Sequence, residues 1–406
     1  MNLVSCGIDW ADDHHDVALV DHDGALLASV RIGDDRAGLE QLLELADHGD
    51  SAEHLVPVAI ETPRGLLVAA LRATGRPVYA INPLAASRYR ARRSVSHAKS
   101  DPADARLLAD ILRTDRDAHR PLPADSDLIG ALVVLTRAHQ DAIADRRRLA
   151  NRLRAHLREY FTAALRAFEG RGTLGLDSVA ARAVLVAAPT PASGADLTAS
   201  RLRELLSSGG RLRRDLDTEV ERVQALLTNT AALRQPTTAE QAMGHQTLAL
   251  LRQLEAICAT IPDLAAAVEA TFAQHADAKI ITSFPGLSTI SGARVLAEIG
   301  DDRARFASAR SIKAYAGSAP ITRASGRNRA VLARTVKNQR LASTGYMWAF
   351  AALRRPETRA HYDRRRAGGE RHTAALRNMF NKMLGSLYHC LQTGTRYDPS
   401  RAFAPA

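Results

Sequence analysis

The feature that most constrains the fold of this chain is a change in the spacing of its apolar residues near residue 84. Before that point, apolar residues form short runs between turn residues, as in 3–9, 16–20 and 25–32, which is typical of strands. After it, they recur every three or four residues over long stretches, which is typical of helices. The chain of 406 residues is therefore predicted to be α/β plus α, with a mixed sheet domain first and mainly helical domains after it.

The N-terminal segment is predicted to start with a β-meander built from the three short runs. A helix at 37–47, a strand at 55–60, a helix at 64–74 and a strand at 78–81 are expected to follow. Pro57 leaves the start of the 55–60 strand open, because proline cannot donate a hydrogen bond to a sheet ladder. Strands followed by alternating helix and strand indicate a mixed sheet.

Beyond residue 84 the chain is predicted to be almost wholly helical. Amphipathic patterns at 128–169, 196–230 and 238–275 are interpreted as paired long helices. Loops are predicted at 187–195, which contains two prolines, and at 235–238.

A change of character at Phe284-Pro285-Gly286-Leu287 predicts a compact C-terminal domain that runs to about residue 393. Its last helices are predicted at about 340–360 and 371–393. They carry aromatic residues at spacings that predict core positions, namely Tyr346, Trp348, Phe350, Phe380 and Tyr388. The tail from Thr395 is expected to be frayed.

Charge is divided unevenly along the chain. Residues 1–60 carry two Arg and 13 Asp or Glu, so the net charge of +11 leaves +22 on the other 346 residues. Carboxylates that hold cations beside arginines that bind phosphates suit a nucleic-acid enzyme that uses a metal. The alternative is a soluble enzyme whose surface charge is merely uneven.

Membrane insertion and secretion are not indicated by the sequence. The longest apolar runs, such as 129–135, are far shorter than the roughly 20 residues that a membrane span needs. The N-terminus lacks the basic and apolar regions of a signal peptide. We therefore expect a cytoplasmic, nucleoid-associated protein with no membrane partner.

Four carboxylates are placed where metal ligands are often found. Asp9 and Glu61 each end an apolar strand, while Asp101 and Asp104 stand three residues apart in a predicted helix and so share one face. Mg²⁺ prefers oxygen ligands, and such a set can hold two ions about 3.5 to 4 Å apart. This order of strand, strand and helix carboxylates is that of RuvC-like, RNase-H-type nucleases.

Other interpretations of these aspartates stay open at this point. Any one of them can be a helix cap or a solvated surface group, and Asp101 before Pro102 is a natural N-cap. Asp12, Asp13 and Asp16 compete with Asp9, but they fall in the turn or on the next strand. Asp9 is preferred because it ends the first apolar run.

A basic cluster lies between Glu61 and Asp101. Its arginines are suited to contacts with a nucleic-acid backbone, and they are Arg88, Arg90, Arg92 and Arg93. Tyr89 lies among them and either stacks on a base or covers the core.

Two sets of motifs occur in a fixed order, separated by a helical spacer. The first consists of Gly7-Ile8-Asp9-Trp10-Ala11, Ile60-Glu61-Thr62, Asn82-Pro83 and 99–105; the second consists of 284–290, 297–300, Phe306, 314–317, Ala319-Pro320 and Ser325-Gly326. With these motifs the chain resembles the DEDD transposases of bacterial insertion sequences, the IS-one-ten type, which are bridge-RNA-guided recombinases. Residues 165–275 carry little that matches.

The resemblance implies a domain plan and a set of partners. The plan is a RuvC-like DEDD domain at 1–125, a coiled-coil helical region at 126–278, a transposase domain with a catalytic serine at 279–394 and a tail at 395–406. The partners would be donor and target DNA and a structured non-coding RNA encoded by the same element. Because strand exchange needs at least two active sites, we expect a dimer that assembles into a tetramer.

The resemblance also assigns the nucleophile to Ser325. Four Ser-Gly pairs occur in the chain, so the dipeptide alone identifies nothing. The neighbouring Arg323 and Arg327 can neutralise a phosphate, and Gly326 lets the backbone approach DNA. No general base is identifiable, so a composite site with two Mg²⁺ ions, from the same or another subunit, is expected to serve.

Three functions are compatible with these residues. The first is a transposase or recombinase that forms a covalent phosphoserine, which conserves bond energy for religation. The second is a RuvC-like, Holliday-junction-type endonuclease in which Ser325 is structural. The third is a non-enzymatic RNA- or DNA-binding protein, against which the presence of all four carboxylates argues.

Overall fold

The structure is a computed structural model. It describes residues 4–47, 54–93, 100–168, 175–208, 215–229, 233–326 and 328–402, with the side chains of Arg93, Arg329 and Arg401 left out. The chain divides into two compact units, Met1–Ala124 and Asp125–Ala406.

The first unit is a mixed α/β domain. Its elements are β1 (Ser5–Trp10), β2 (His14–Val20), β3 (Leu26–Gly33), α1 (Arg36–Asp47), β4 (Val58–Ile60), α2 (Leu66–Ala73), β5 (Val78–Ala80), α3 (Pro83–Arg93), α4 (Asp101–Asp115) and a 3₁₀ turn (Arg116–Ala118). The sheet order is β3-β2-β1-β4-β5. The first three strands pair antiparallel, which confirms the predicted meander, and β1, β4 and β5 are parallel.

Helix α4 lies directly against β1, because Gly7 has no side chain. A Cβ at Gly7 would overlap the backbone of Ala105 and Ala109 in α4. Side chains alternate along a strand, so Asp9, two residues after Gly7, belongs to the same face of the sheet. Ile8 and Ile60 belong to the other face and pack into a core with α1 and α2.

The second unit is mainly helical. Its elements are α5 (Asp127–Tyr160), α6 (Thr162–Phe168), α7 (Val179–Ala187), α8 (Pro191–Ala195), α9 (Ala199–Ser207), α10 (Leu216–Leu227), α11 (Thr237–Ala273), α12 (Ala278–Ile281), α13 (Thr289–Ile299), α14 (Ala309–Tyr315), β6 (Ile321–Ser325), β7 (Asn328–Leu332), α15 (Gln339–Ala352), α16 (Pro356–Ala367), α17 (His372–Thr393) and α18 (Pro399–Ala402).

Helices α5 and α11 run antiparallel and belong to two hydrophobic cores. At one end of the pair, Leu132 and Phe272 pack with the C-terminal helices. At the other end, Leu153 and Leu250 pack with α6, α7, α9 and α10. Phe161 separates α5 from α6, so the amphipathic pattern at 128–169 is divided between two helices.

Three sequence predictions in this unit were wrong. The predicted loop at 187–195 contains α8, because the side chains of Thr190 and Ser193 form a capping box. The helix predicted at 340–360 ends at Ala352, and α16 begins at Pro356. The prediction of an almost wholly helical chain missed the antiparallel hairpin β6–β7.

The predicted aromatic core is only partly correct. Trp348 and Phe380 are buried, and Tyr388 packs against the same core. Tyr346 and Phe350, by contrast, are exposed. They share a face of α15, since they are four residues apart. In the tail that was expected to be frayed, Tyr397 packs against Phe284, with ring centroids 4.7 Å apart.

In the part of the chain that the structure describes, α11 alone is long and apolar enough to cross a membrane by length and composition. The helix is 37 residues long, but polar residues interrupt its apolar stretches, so it contains no continuous apolar run of that length. One such helix is weak evidence for insertion. The buried leucines of α11 and its buried Val268 and Phe272 belong to the two cores described above.

Candidate functional site

Asp9 and Glu61 lie side by side at one edge of the sheet. Parallel strands β1 and β4 pair Ile8 with Ile60, and each acidic residue comes directly after its member of that pair. Both side chains are half-buried. The structure therefore brings together the two strand carboxylates that the sequence predicted.

Asp16 is a carboxylate of this edge that the sequence prediction passed over. It pairs with Asp9 across the antiparallel strands β1 and β2, so the two side chains share a face. The ligand atoms of His14, Asp16 and Asp101 lie within 4.8 Å of one another. The predicted turn around Asp12 and Asp13 would have allowed this pairing to be inferred, because a hairpin centred there places Asp9 opposite Asp16.

Two arginines neutralise these carboxylates. Arg31 lies 2.8 Å from Asp16 and 3.7 Å from Asp101, and its hydrogen bond to Asp16 raises the pKa of Arg31. Arg90 donates to one oxygen of the buried Asp104 from two of its nitrogens, at 2.9 and 2.6 Å. Arg90 was predicted to contact nucleic acid, but in this structure it is the partner of Asp104.

The N-terminus of α4 differs slightly from the sequence prediction. Asp101 is the first residue of the helix rather than its N-cap; Ser100 takes the cap position and makes no side-chain cap hydrogen bond. Asp101 and Asp104 both lie in the first turn, where the helix dipole favours negative charge.

The residues at this edge fit a hard divalent cation. Asp9, Asp16, Glu61 and Asp101 supply carboxylate oxygens, the ligands that Mg²⁺ prefers, and His14 adds a nitrogen. Among the described residues, however, Asp9, Glu61 and Asp104 are not part of the group whose ligand atoms already lie within 4.8 Å. The four predicted carboxylates thus occupy one edge without forming one tight cluster.

The other members of the basic cluster lie on α3. Arg88 and Arg92 are exposed, and the guanidinium of Arg92 lies 5.8 Å from the centre of the Tyr89 ring. The side chain of Arg93 lies outside the described residues. Tyr89 packs against the core beneath α4. Burial, together with a hydrogen bond to Asp115, raises the pKa of Tyr89.

Ser325 differs from the serines of the other three Ser-Gly pairs. The hydroxyls of Ser193, Ser208 and Ser291 each bond to the backbone of their own helix or its cap. Ser325 ends β6 at the tip of the hairpin, is exposed, and its hydroxyl has no hydrogen bond to any described residue. Of the four hydroxyls, it is the one that is available to a reaction partner.

The surroundings of Ser325 leave room for a large partner. Gly326 has a φ of +56°, and a Cβ there would meet nothing within 4 Å. Arg323 on β6 is exposed. Arg327 lies outside the described residues. A backbone this open, with a cationic side chain beside it, can approach a phosphate closely.

The stem of the hairpin is held by a buried polar network. Glu298 accepts from Arg137 at 3.0 Å through both of its oxygens. It also accepts from the side chain of Asn338 at 2.6 Å, and Asn338 donates its backbone N–H to the carbonyl of Tyr315. Because Tyr315 precedes β6 and Asn338 follows β7, the exposed tip has a rigid base.

Two family models match the chain. One, described as a transposase of the DEDD IS110 type, matches residues 6–162; the other, described as "Transposase IS116/IS110/IS902 family", matches residues 278–363. The chain belongs to the IS110 family of transposases. As a transposase of this family, it is an enzyme that cuts and rejoins DNA.

Relatives of the IS110 family match over nearly their whole length. The "Mini-circle putative transposase for IS117" of Streptomyces coelicolor is 57% identical over 99% of this chain and 97% of its own. The insertion element IS900 42 kDa protein of Mycobacterium paratuberculosis is 31% identical over 99% of both chains. The insertion element IS116 44.8 kDa protein of Streptomyces clavuligerus is also 31% identical, over 97% and 96%.

Proposed function

We propose that this IS110-family transposase rejoins DNA strands through a covalent phosphoserine on Ser325, assisted by a Mg²⁺ site at the sheet edge. The observation that carries the proposal is the state of the Ser325 hydroxyl, which is exposed, unbonded within the described residues and located at a hairpin tip. A nucleophile for a polymer as wide as duplex DNA needs such access.

The chemical step has a simple balance. The Ser325 oxygen attacks phosphorus and forms an ester bond, while the bond from phosphorus to the leaving deoxyribose oxygen breaks. The serine proton is passed to the leaving oxygen, so charge and atoms are conserved. Attack by the corresponding hydroxyl of another strand reverses the step and releases serine, without hydrolysis. Arg323 and Arg327 would neutralise the charge that develops on the phosphate.

Asp9, Glu61, Asp101 and Asp104 would hold the metal, as proposed from the sequence, with Asp16 as an additional ligand. Mg²⁺ bound there would polarise the phosphate and favour loss of the serine proton. For Asp104 to bind the ion, Arg90 must release it, so Arg90 would neutralise the site until metal binds. We assign the unit to the RuvC-like type because its strand order and carboxylate positions fit that fold.

We further propose that an RNA from the same element guides the enzyme to donor and target DNA. The exposed Arg88 and Arg92 on α3 support a nucleic-acid surface beside the sheet edge. Strand exchange would take place in a tetramer formed from two dimers, in the bacterial cytoplasm. The helical region at 126–278 and the transposase domain at 279–394 are proposed as separate functional domains.

The test combines purified protein, the RNA of its element, nicked or junction-containing DNA and Mg²⁺. Denaturing gels would detect DNA attached covalently to protein. We expect an adduct with the wild type and none with Ser325→Ala, because the attacking oxygen is gone. Asp9→Ala should reduce the adduct about 100-fold or more, because the metal site is impaired. Ser291→Ala, at a Ser-Gly pair whose hydroxyl is bonded, is the control.

The outcomes separate the three functions. Mg²⁺-dependent cleavage that persists in Ser325→Ala would leave a RuvC-like endonuclease. Binding without any cleavage would leave a nucleic-acid-binding protein. Mixing Ser325→Ala with Asp9→Ala tests the composite site, since activity of the mixture would mean that the two centres act in trans.

A further inference from the structure

A small cavity lies at the stem of the hairpin, within the second unit. Its volume is about 180 Å³. The walls that matter for recognition come from the segments on either side of the hairpin and from helices α15 and α17, namely Gly317, Ser318, Lys337, Tyr346, Arg377 and Phe380. The proposed reaction on Ser325 makes no use of this cavity.

The cavity carries positive charge that no carboxylate of the described residues compensates. Lys337 and Arg377 both line it, no Asp or Glu does, and neither cation forms an ion pair with any described residue. Most other arginines at half-buried positions of this unit are paired, as Arg137 is with Glu298. Two uncompensated cations in one recess attract an anion such as a phosphate.

Aromatic rings supply the other half of the recognition chemistry. Phe380 lines the cavity and packs tightly on Gly345, where any Cβ would overlap its ring. Tyr346 also lines the cavity and is 40% exposed. Phe350, one turn further along α15, is 51% exposed. Exposed aromatic rings beside cations are the usual platform for unpaired bases.

The position of the cavity ties it to the reactive serine. Gly317, with a φ of +70°, is covered by the side chain of Lys337, so the two ends of the hairpin segment meet there. Ser318 is fixed by hydrogen bonds to Asn381 and to the carbonyl of Lys313. Ser325 comes seven residues after Ser318, so the two lie at most about 25 Å apart.

We propose that this cavity, the stem pocket, holds one unpaired nucleotide of the DNA strand on which Ser325 acts. Its base would stack on Tyr346 and its phosphate would contact Lys337 and Arg377. The volume is below the roughly 300 Å³ at which pockets begin to take drug-sized ligands, so it suits a single base rather than a larger molecule. The proposal rests on the proposed function, because that function supplies the DNA strand.

The pocket fixes one displaced nucleotide at a set distance from the cleaved phosphate. It would therefore choose which phosphate reaches Ser325, which is a specificity role separate from catalysis. A partner with a carboxylate would be drawn by the same cations, but it would make no use of the aromatic row on α15.

The test measures binding in a Ser325→Ala background, so that no adduct forms. A fluorescent single-stranded DNA oligonucleotide is titrated by anisotropy at several salt concentrations. Tyr346→Ala should weaken binding about tenfold, and Tyr346→Phe should restore it because the ring is kept. Lys337→Gln and Arg377→Gln should each lower the slope of log affinity against log salt by about 0.7. Arg354→Gln, an exposed arginine outside the pocket, is the matched control.

A second measurement locates the nucleotide. The fluorescent base 2-aminopurine, placed at successive positions of the strand, should be quenched by stacking at one position only, and Tyr346→Ala should abolish that quenching. Unfolding temperatures of all variants would show that the fold is intact.

Three results would overturn the inference. They are unchanged DNA binding in the three pocket variants, effects as large in Arg354→Gln, or 2-aminopurine quenching that Tyr346→Ala leaves unchanged. The proposed function fails separately, since it is judged by the covalent adduct in protein that retains Ser325. An adduct formed at a normal rate and at the normal phosphate by Tyr346→Ala would leave the function standing and remove the pocket from it.

Discussion

The sheet edge and the hairpin β6–β7 that carries Ser325 differ in burial and in the pairing of their polar side chains. At the edge, carboxylates crowd together and are neutralised by Arg31 and Arg90, on a face that α4 covers. On the hairpin, every described side chain from Thr322 to Ala333 is exposed, and Ser325 makes no hydrogen bond within the described residues. Carboxylates that are partly buried need cationic partners, whereas a nucleophile for DNA needs an accessible hydroxyl without a bonded partner.

This contrast separates stability from function. Substitutions of the residues that pack or neutralise the sheet edge should lower the free energy of unfolding. Substitutions at the hairpin tip should affect chemistry and leave the unfolding free energy almost unchanged. The following changes test that separation, in order of decreasing expected effect on stability.

The largest effect is expected for Gly7→Ala. The new methyl group would overlap the backbone of α4, so the helix that carries Asp101 and Asp104 has to move. We expect a loss of about 3 kcal/mol in the free energy of unfolding, measured by urea titration. Gly130→Ala, in helix α5 with open space around it, is the control and should gain about 0.5 to 1 kcal/mol. Equal effects would mean that the contact of α4 with β1 is loose.

A smaller loss is expected for Arg90→Ala. It leaves the buried Asp104 without its counter-charge, and we expect a cost of about 2 kcal/mol, reduced from the value for a fully buried pair because Arg90 is 23% exposed. Arg88→Ala, on the same helix and exposed, should change stability by less than about 0.5 kcal/mol. If Asp104 is a metal ligand, Mg²⁺ restores part of the loss in Arg90→Ala. No restoration would argue against Asp104 as a ligand.

A modest pH dependence is expected from the helices that support the hairpin. Burial, and then the charge of Arg294, lowers the pKa of His139 below its usual value. The unfolded chain therefore binds this proton more readily, so His139 contributes stability above its unfolded pKa of about 6.5 that is lost as the pH falls through the folded-state pKa.

Denaturant titrations between pH 7.5 and pH 5 would measure that loss. His139→Gln should flatten the profile in part, because burial also lowers the pKa of His361, which keeps its own contribution. A profile unchanged by His139→Gln would place the proton uptake elsewhere.

The smallest effect on stability is expected for Ser325→Ala. The side chain is exposed and without a hydrogen bond to a described residue, so the free energy of unfolding should stay within about 0.5 kcal/mol. Adduct formation should nevertheless be abolished. A marked loss of stability would show that Ser325 is structural and would remove the contrast between the two regions.

Much of the sheet unit could be predicted from the sequence, because its signals are local. The runs at 3–9, 16–20 and 25–32 gave the meander, and Asp9 and Glu61 were found from the strands that they end. Asp16 was missed because its role depends on the register of β1 with β2, which places it opposite Asp9. The pairing of Arg90 with Asp104 was missed because it is set by the packing of α3 on α4.

The hairpin could not be predicted in the same way. Residues 321–332 contain no alternating apolar pattern of the kind that predicts a strand. Such a pattern arises when one face of a strand packs on a core, and here every described side chain from Thr322 to Leu332 is exposed. Ser325 was assigned by resemblance rather than by spacing. Tyr346 and Phe350 lie on one side of α15 and Trp348 on another, and the helical spacing alone does not say which side faces the core. The packing of α17 against α15 decides it, and Trp348 is the ring that is buried.

Helices α5 and α11 hold two cores at fixed separation, because α5 alone is about 50 Å long. A single residue inserted between the cores would turn one core by about 100° relative to the other. Changes of length there are tolerable only when both helices change together and by whole turns. During the evolution of such elements, this pair of helices should drift freely in composition while its length is inherited almost unaltered.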